Sequence, residues 1–186
     1  MRILALDLAT KTGWALWDGA RMESGVQDFS KSRGESNGML FLKFNRWLEA
    51  DLALNQRPTH PARCMDLLVF EQAHHRGGAA TEIAVGLMTR VLEYGALYKI
   101  EHTSVHSMTL KKWATGSGKS DKAVMRAAAC KFTKPERSVA LMGDDEADAI
   151  LLLQYALEKF GGTNPCNVQP VAARKIESLG PSTPAD

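Results

Sequence analysis

Residues 2–17, RILALDLATKTGWALW, set a carboxylate inside an apolar run, and no other stretch restricts the fold of this chain as much. The pattern predicts a β-strand carrying Asp7, a turn at Lys11-Thr12-Gly13 and a return strand through Trp14-Ala15-Leu16-Trp17, which together read as a hairpin. An ionised Asp7 flanked by Leu6 and Leu8 is costly to bury unless a Lys, an Arg or a metal ion pairs with it. The simpler alternative is that Asp7 ends the strand and caps the turn. The two readings separate on whether other carboxylates converge on the same place.

The chain has 186 residues, enough for one domain with a proper core. It is 45% hydrophobic and 24% charged, the balance of a water-soluble globular protein. No stretch approaches the roughly 18 consecutive apolar residues of a membrane span. The opening MRILALDLA runs into a turn with an acid inside it, unlike a signal peptide. Cys64, Cys130 and Cys166 are far apart and lack Cys-x-x-Cys spacing, so neither a disulfide framework nor a zinc site is indicated. These features predict a reduced, cytoplasmic protein with no membrane partner. Charge is unevenly spread: residues 99–137 hold 9 basic and 3 acidic side chains, residues 138–186 hold 3 and 7. The cationic middle third suits a solvated helix face or a phosphate-binding surface.

Beyond the hairpin, residues 21–29 can form a third strand and residues 31–38 a polar loop. Apolar side chains at Met39, Leu40, Leu42, Phe44, Trp47, Leu48 and Leu52 predict an amphipathic helix over 39–54, with its Trp and Phe in the core. A prolyl loop over 55–63 leads to a short buried strand over 66–71 that ends in Glu71. Gln72 to Gly78 is a polar, glycine-tipped loop. A second helix follows with Ile83, Leu87, Val91, Tyr94 and Leu97 as its apolar stripe, its middle residues fitting either the core or a dimer interface. Further elements are expected as a strand over 102–105, a short helix over 107–113, a helix over 121–132 and a last helix over 144–160 stopped by Gly161-Gly162. Residues 161–186 have no periodicity and read as a loose tail. Strands first, then alternating helices and strands, predict an α/β domain over 1–160 with a mixed sheet, antiparallel at its start and covered by helices.

Three places set acids on structured apolar elements: Asp7, Glu71 and the Asp144-Asp145-Glu146-Ala147-Asp148 start of the last helix. The i and i+3 spacing puts Asp145 and Asp148 on one helical face, about 5–6 Å apart at Cβ. Acids favour helix N-termini for dipole reasons alone, which accounts for Asp144 or Glu146. It accounts less well for Asp148, which precedes the apolar Ala149-Ile150-Leu151-Leu152-Leu153 run. Four such carboxylates can hold two divalent ions about 4 Å apart, an arrangement used for phosphodiester cleavage. Mg²⁺ suits hard oxygen ligands and keeps some of its waters. The Gly116-Ser117-Gly118-Lys119-Ser120 loop is not a P-loop, because Trp113 stands where that motif needs a glycine. It is glycine-rich and flanked by Lys111, Lys112 and Lys122, so it reads either as a mobile surface turn or as a backbone-contacting loop.

In order along the chain, ALDLATKTGWAL, VFEQ, TLKKWATGSGKSDKAVM and DDEADAILL resemble the RuvC-type Holliday junction resolvases of the RNase H-like superfamily. The motifs span residues 3–153. The resemblance implies an RNase H-like fold whose mixed five-stranded sheet has antiparallel first strands and helices on both faces. It further implies a homodimer that cleaves four-way DNA junctions by paired nicks with Mg²⁺ or Mn²⁺. The family's metal-binding acids fall on Asp7, Glu71, Asp145 and Asp148. Its loop-flanking lysines, which contribute to DNA binding and catalysis, fall on Lys111 and Lys122. Lys112, Lys119 and Arg126 would follow the DNA backbone, with His74 and Arg76 facing DNA from the second loop. Two departures stand out. Asp-Leu-Ala-Thr replaces the bacterial Asp-Pro-Gly-Ser, which points to a divergent, phage-type branch in a bacterial or phage-infected cell. His74 stands where bacterial members carry a junction-distorting aromatic. A related nuclease acting on RNA, flaps or forks is the alternative on the same fold.

Overall fold

The computed structural model describes residues 1–50, 65–72, 77–133 and 142–161. His74, Arg76, Cys64, Cys166, the prolyl loop and nearly all of the expected tail lie outside the described residues. Within these residues, five strands and five helices follow in the order β1 (Ile3–Asp7), β2 (Lys11–Trp17), β3 (Met22–Asp28), α1 (Asn37–Ala50), β4 (Leu67–Glu71), α2 (Gly78–Tyr98), β5 (Glu101–Val105), α3 (Ser107–Thr115), α4 (Lys122–Cys130) and α5 (Asp144–Phe160). The strands form one sheet ordered β3-β2-β1-β4-β5. The first three pair antiparallel, and β1, β4 and β5 run parallel. The expected mixed sheet, antiparallel at its start, is therefore present. No helix among the described residues is long and apolar enough to cross a membrane.

The sheet divides the core into two layers because neighbouring side chains along a strand face opposite ways. Ile3, Ala5, Ala15, Leu67 and Val69 pack on one face with α5, together with Leu110 of α3 and Met125 and Ala129 of α4. Leu4, Leu6, Leu16, Leu68 and Phe70 pack on the other with α1 and α2. Burial on both faces explains why β1 and β4 read as unbroken apolar runs. In the second layer Phe29, Phe44 and Trp47 meet edge-on or tilted with ring centroids 5.3–5.9 Å apart, so the aromatics of α1 are core as expected. Leu87 and Val91 are fully buried and Tyr94 nearly so, which assigns the middle of α2 to the core.

Three details depart from the expectations. The first turn is Leu8-Ala9-Thr10, and Lys11-Thr12-Gly13 already belong to β2, where Asp28, Gln27 and Val26 pair with them. The third strand supplies that pairing, which the hairpin's own composition does not reveal. Leu97 is 69% exposed and leaves the α2 stripe. The chain reverses at Lys99 in the left-handed region (φ 56°), and the Ile100 N–H donates to the Gly95 carbonyl at 2.8 Å, so Ile100 fills the layer at that end instead. Gly161 ends α5 in a right-handed conformation (φ −66°), without the left-handed turn that glycine commonly supplies there.

Candidate metal and nucleic-acid site

The period of two along β1 settles which way Asp7 points. Ile3 and Ala5 belong to the α5 layer, so Asp7, next in phase, faces α5 as well. In β4, Leu67 and Val69 belong to the same layer, so Glu71 follows them. Leu6 lies opposite Phe70 in the parallel pairing of β1 with β4, so Asp7 and Glu71 end neighbouring strands side by side. The carboxyl ends of parallel strands are where α/β sheets commonly place their ligands. Helix α5 enters there with its N-terminus, carrying Asp145 in its first turn and Asp148 in its second.

Glycine at position 13 permits this approach. Gly13 pairs with Asp7 across the hairpin, and a Cβ placed on it would overlap the backbone carbonyl of Asp145. The turn beside Asp7 is held firmly. Fully buried Thr12 donates its hydroxyl to the Ala9 carbonyl at 2.7 Å, and the Phe29 N–H donates to the Thr10 carbonyl at 2.9 Å. Buried Glu146 accepts the Ser24 hydroxyl at 2.7 Å and ties α5 to β3. Glu146 is thus a packing anchor, a role that the helix-dipole account of its position misses.

The four acids feel one another. Burial lifts the Asp7 carboxyl well above its ordinary value of 3.8, and negative charge on Asp148, Glu71 and Asp145 lifts it further against the opposing pull of Lys122. Asp148 is pushed up to about 6, first by burial and then by Glu71, with Lys111 opposing. Asp145 is also raised, chiefly by burial. Asp7 therefore does not stand alone as a turn cap. Among the described residues, one Asp148 oxygen, Oδ1, is buried without a hydrogen-bond partner, which is costly unless a cation reaches it. Among the described residues, no three His, Cys, Asp or Glu side chains stand in ligating geometry for a single ion. The donor chemistry fits a hard divalent cation such as Mg²⁺ or Mn²⁺: four oxygen acids, clustered and mutually repelling, with an unsatisfied buried oxygen among them.

The cations sort into two groups. Lys111, Ser120 and Lys122 line a pocket of about 70 Å³ together with Met125, Asp144 and Asp148. Lys112 and Lys119 open instead onto a broad groove shared with Met108, Trp113, Tyr155 and Lys159. Adjacent lysines on α3 point about 100° apart, which sends Lys111 and Lys112 to different sides of the glycine loop. That loop is internally bonded. The Thr115 hydroxyl lies within hydrogen-bond reach of the Lys111 and Ser117 carbonyls and of the Ser120 hydroxyl. Lys122 Nζ lies 2.8 Å from Asp144 Oδ2, and Arg126 Nη1 lies 2.5 Å from Asp144 Oδ1. The Lys122 hydrogen bond holds the Asp144 carboxyl below its ordinary value. Sequence reasoning gave Asp144 no such role, although the i, i+4 spacing of Lys122 and Arg126 on α4 signalled that both could reach one partner.

A mixed five-stranded sheet with this strand order, an antiparallel β1-β2-β3 edge and helices on both faces is the RNase H-like fold. Within that fold the chain is similar to solved structures of RuvC. It matches Thermus thermophilus RuvC in complex with a Holliday junction substrate at a TM-score of 0.62 and 14% identity, over 82% of this chain and 90% of that one. It matches the T. thermophilus RuvC structure at 0.59 and 16% identity, over 85% and 96%. No protein-family model matches the sequence, and no curated protein matches it.

Proposed function

We propose that the protein is a metal-dependent endonuclease that cuts branched DNA, and Holliday junctions in particular, by hydrolysing phosphodiester bonds in paired nicks as a homodimer. The observation that carries this reading is the convergence of Asp7, Glu71, Asp145 and Asp148 on one end of the sheet, where each strand phase and the α5 entry direct them. These four acids would hold Mg²⁺, with Mn²⁺ as a substitute. When bound, such ions supply an acidified water and stabilise the departing oxygen.

The chain's own side chains do the rest. Lys111 and Lys122 place positive charge beside the acids, where the scissile phosphate must come, and oppose its growing negative charge. Lys112 and Lys119 follow the backbone farther out, along the groove beside Trp113 and Tyr155. Arg126 serves through its pairing with Asp144, and His74 and Arg76 are proposed to contact DNA. In this reading residues 1–160 form the catalytic unit.

Side-by-side cleavage of a synthetic four-way junction, a flap, a fork, linear duplex and RNA in Mg²⁺ tests the proposal. Two symmetric nicks in the junction are expected, and a dimeric mass in solution. Preferred cutting of RNA, flaps or forks would move the protein to the alternative branch. Asp7→Asn should slow junction cleavage by about 10²-fold or more, since even residues supporting a metal ligand contribute 10–100-fold. Wild-type rates in that variant would remove the metal-site assignment.

A further inference from the structure

Asp144 presents its two oxygens to two different cations. Oδ2 faces the Lys122 ammonium and Oδ1 the Arg126 guanidinium, so a single carboxylate bridges both. Lys122 and Arg126 lie one helical turn apart on α4 and meet Asp144 at the N-terminus of α5. The bridge borders the pocket that Lys111, Ser120 and Asp148 also line, beside the four acids. Carboxylate and phosphate oxygens are recognised by the same fork of donors. Lys122 is 78% exposed and Arg126 32%, so both side chains have solvent access and room to exchange partners.

We infer that Lys122 and Arg126 form a clamp for one phosphodiester oxyanion, and that Asp144 fills this clamp until a nucleic-acid strand displaces it. The inference rests on the endonuclease reading and adds a function for an acid outside the metal set. Asp144 acts as an internal stand-in for phosphate. Every incoming strand must compete with it, and the apparent affinity falls by the fraction of molecules whose clamp is filled. Any strand that engages the clamp bears this cost, so Asp144 sets how tightly nucleic acid is held, while its contact orients Lys122 near the acids. Helix α5 keeps Asp145 and Glu146 in its first turn without it, so the helix dipole does not require Asp144.

The test measures binding without cleavage. Full-length protein carrying Asp7→Asn, in EDTA, is titrated onto fluorescent linear duplex and onto a four-way junction at several salt concentrations. Adding Asp144→Asn should tighten linear-duplex binding about fivefold, the release expected for two exposed ion pairs. The slope of log affinity against log salt should steepen by about 1 to 2, as one or two more phosphates are engaged. Junction binding should tighten by at least as large a factor, since its strand displaces the same carboxylate. Asp144→Ser, a second neutral side chain, should behave alike, and Asp144→Glu should restore the parent's behaviour. Adding Arg126→Met to Asp144→Asn should remove much of the gain.

A purely structural role predicts a lower melting temperature with no tighter binding. Equal or weaker duplex affinity in both neutral variants, or a gain that survives Arg126→Met, would overturn the clamp. If the Asp7→Asn parent bound neither DNA even at low salt, the endonuclease reading would fall and the clamp with it; parent binding without the Asp144 effect removes the clamp alone.

Discussion

Asp7 sets the stability of the fold against the chemistry proposed for it. Its carboxyl is desolvated and surrounded by Asp148, Glu71 and Asp145, so its charge is held at a cost to the fold. Neutralising it as Asn should slow the proposed cleavage by about 10²-fold or more yet raise the melting temperature of the metal-free protein, measured in EDTA by calorimetry. A lower melting temperature would mean that Asp7 is paired more favourably than its neighbours imply. The same repulsion gives a pH dependence. Asp148 titrates near 6 in the folded state and near 3.8 when unfolded, and Asp7 and Asp145 shift the same way. Between those values the folded chain binds more protons than the unfolded one, so metal-free stability falls as pH rises through the window. Carboxyls lowered by local hydrogen bonds, such as Asp18, Asp28 and Asp144, lose their contribution only below about pH 4, so they do not reverse this trend. Chemical denaturation in EDTA should give a higher midpoint at pH 5 than at pH 7.5, and Mg²⁺ at pH 7.5 should recover the difference.

At the scale of the elements, the site depends on how closely α5 approaches the first hairpin. Gly13→Ala would drive a methyl group into the Asp145 carbonyl and push the helix N-terminus outward. Overpacking of this kind costs about 1–3 kcal/mol, and here the displacement carries Asp145 and Asp148 away from Asp7 and Glu71. Junction cleavage should fall by at least tenfold at a temperature where circular dichroism shows the variant folded; unchanged activity would mean that the approach is looser than the contact implies. This element also shows what the sequence made legible. Asp7 and Glu71 were visible because a carboxylate in an apolar run is chemically out of place, and Asp145 and Asp148 because their spacing shares one face. The burial of Glu146 against Ser24 and the two-cation hold on Asp144 were hidden, since both partners arrive through the fold from distant positions. Leu97 was misassigned for a related reason: the reversal at Lys99 brings Ile100 into its place, and a periodic pattern does not register that exchange. Strand pairing order, with β1 between β2 and β4, was likewise set by long-range contacts.

For the whole molecule, the lysines around the glycine loop fall on two surfaces, Lys111 and Lys122 beside the acids and Lys112 and Lys119 along the Trp113 groove. If the groove carries backbone, replacing Lys112 and Lys119 together with Met should lower the salt slope of junction binding by about 1.8, at 0.9 per phosphate contact. An unchanged slope would assign that groove to another use.

The convergence of distant segments has a further consequence during synthesis. Asp7 emerges from the ribosome with the first strand, Glu71 much later, and Asp145 and Asp148 only with the helix that closes the sheet's second face. A nascent chain long enough to bind nucleic acid through its lysines still lacks half of its acids. Under the proposed function, cutting competence would arrive only when α5 docks over Gly13, so a truncated or stalled product would have no means of nicking DNA.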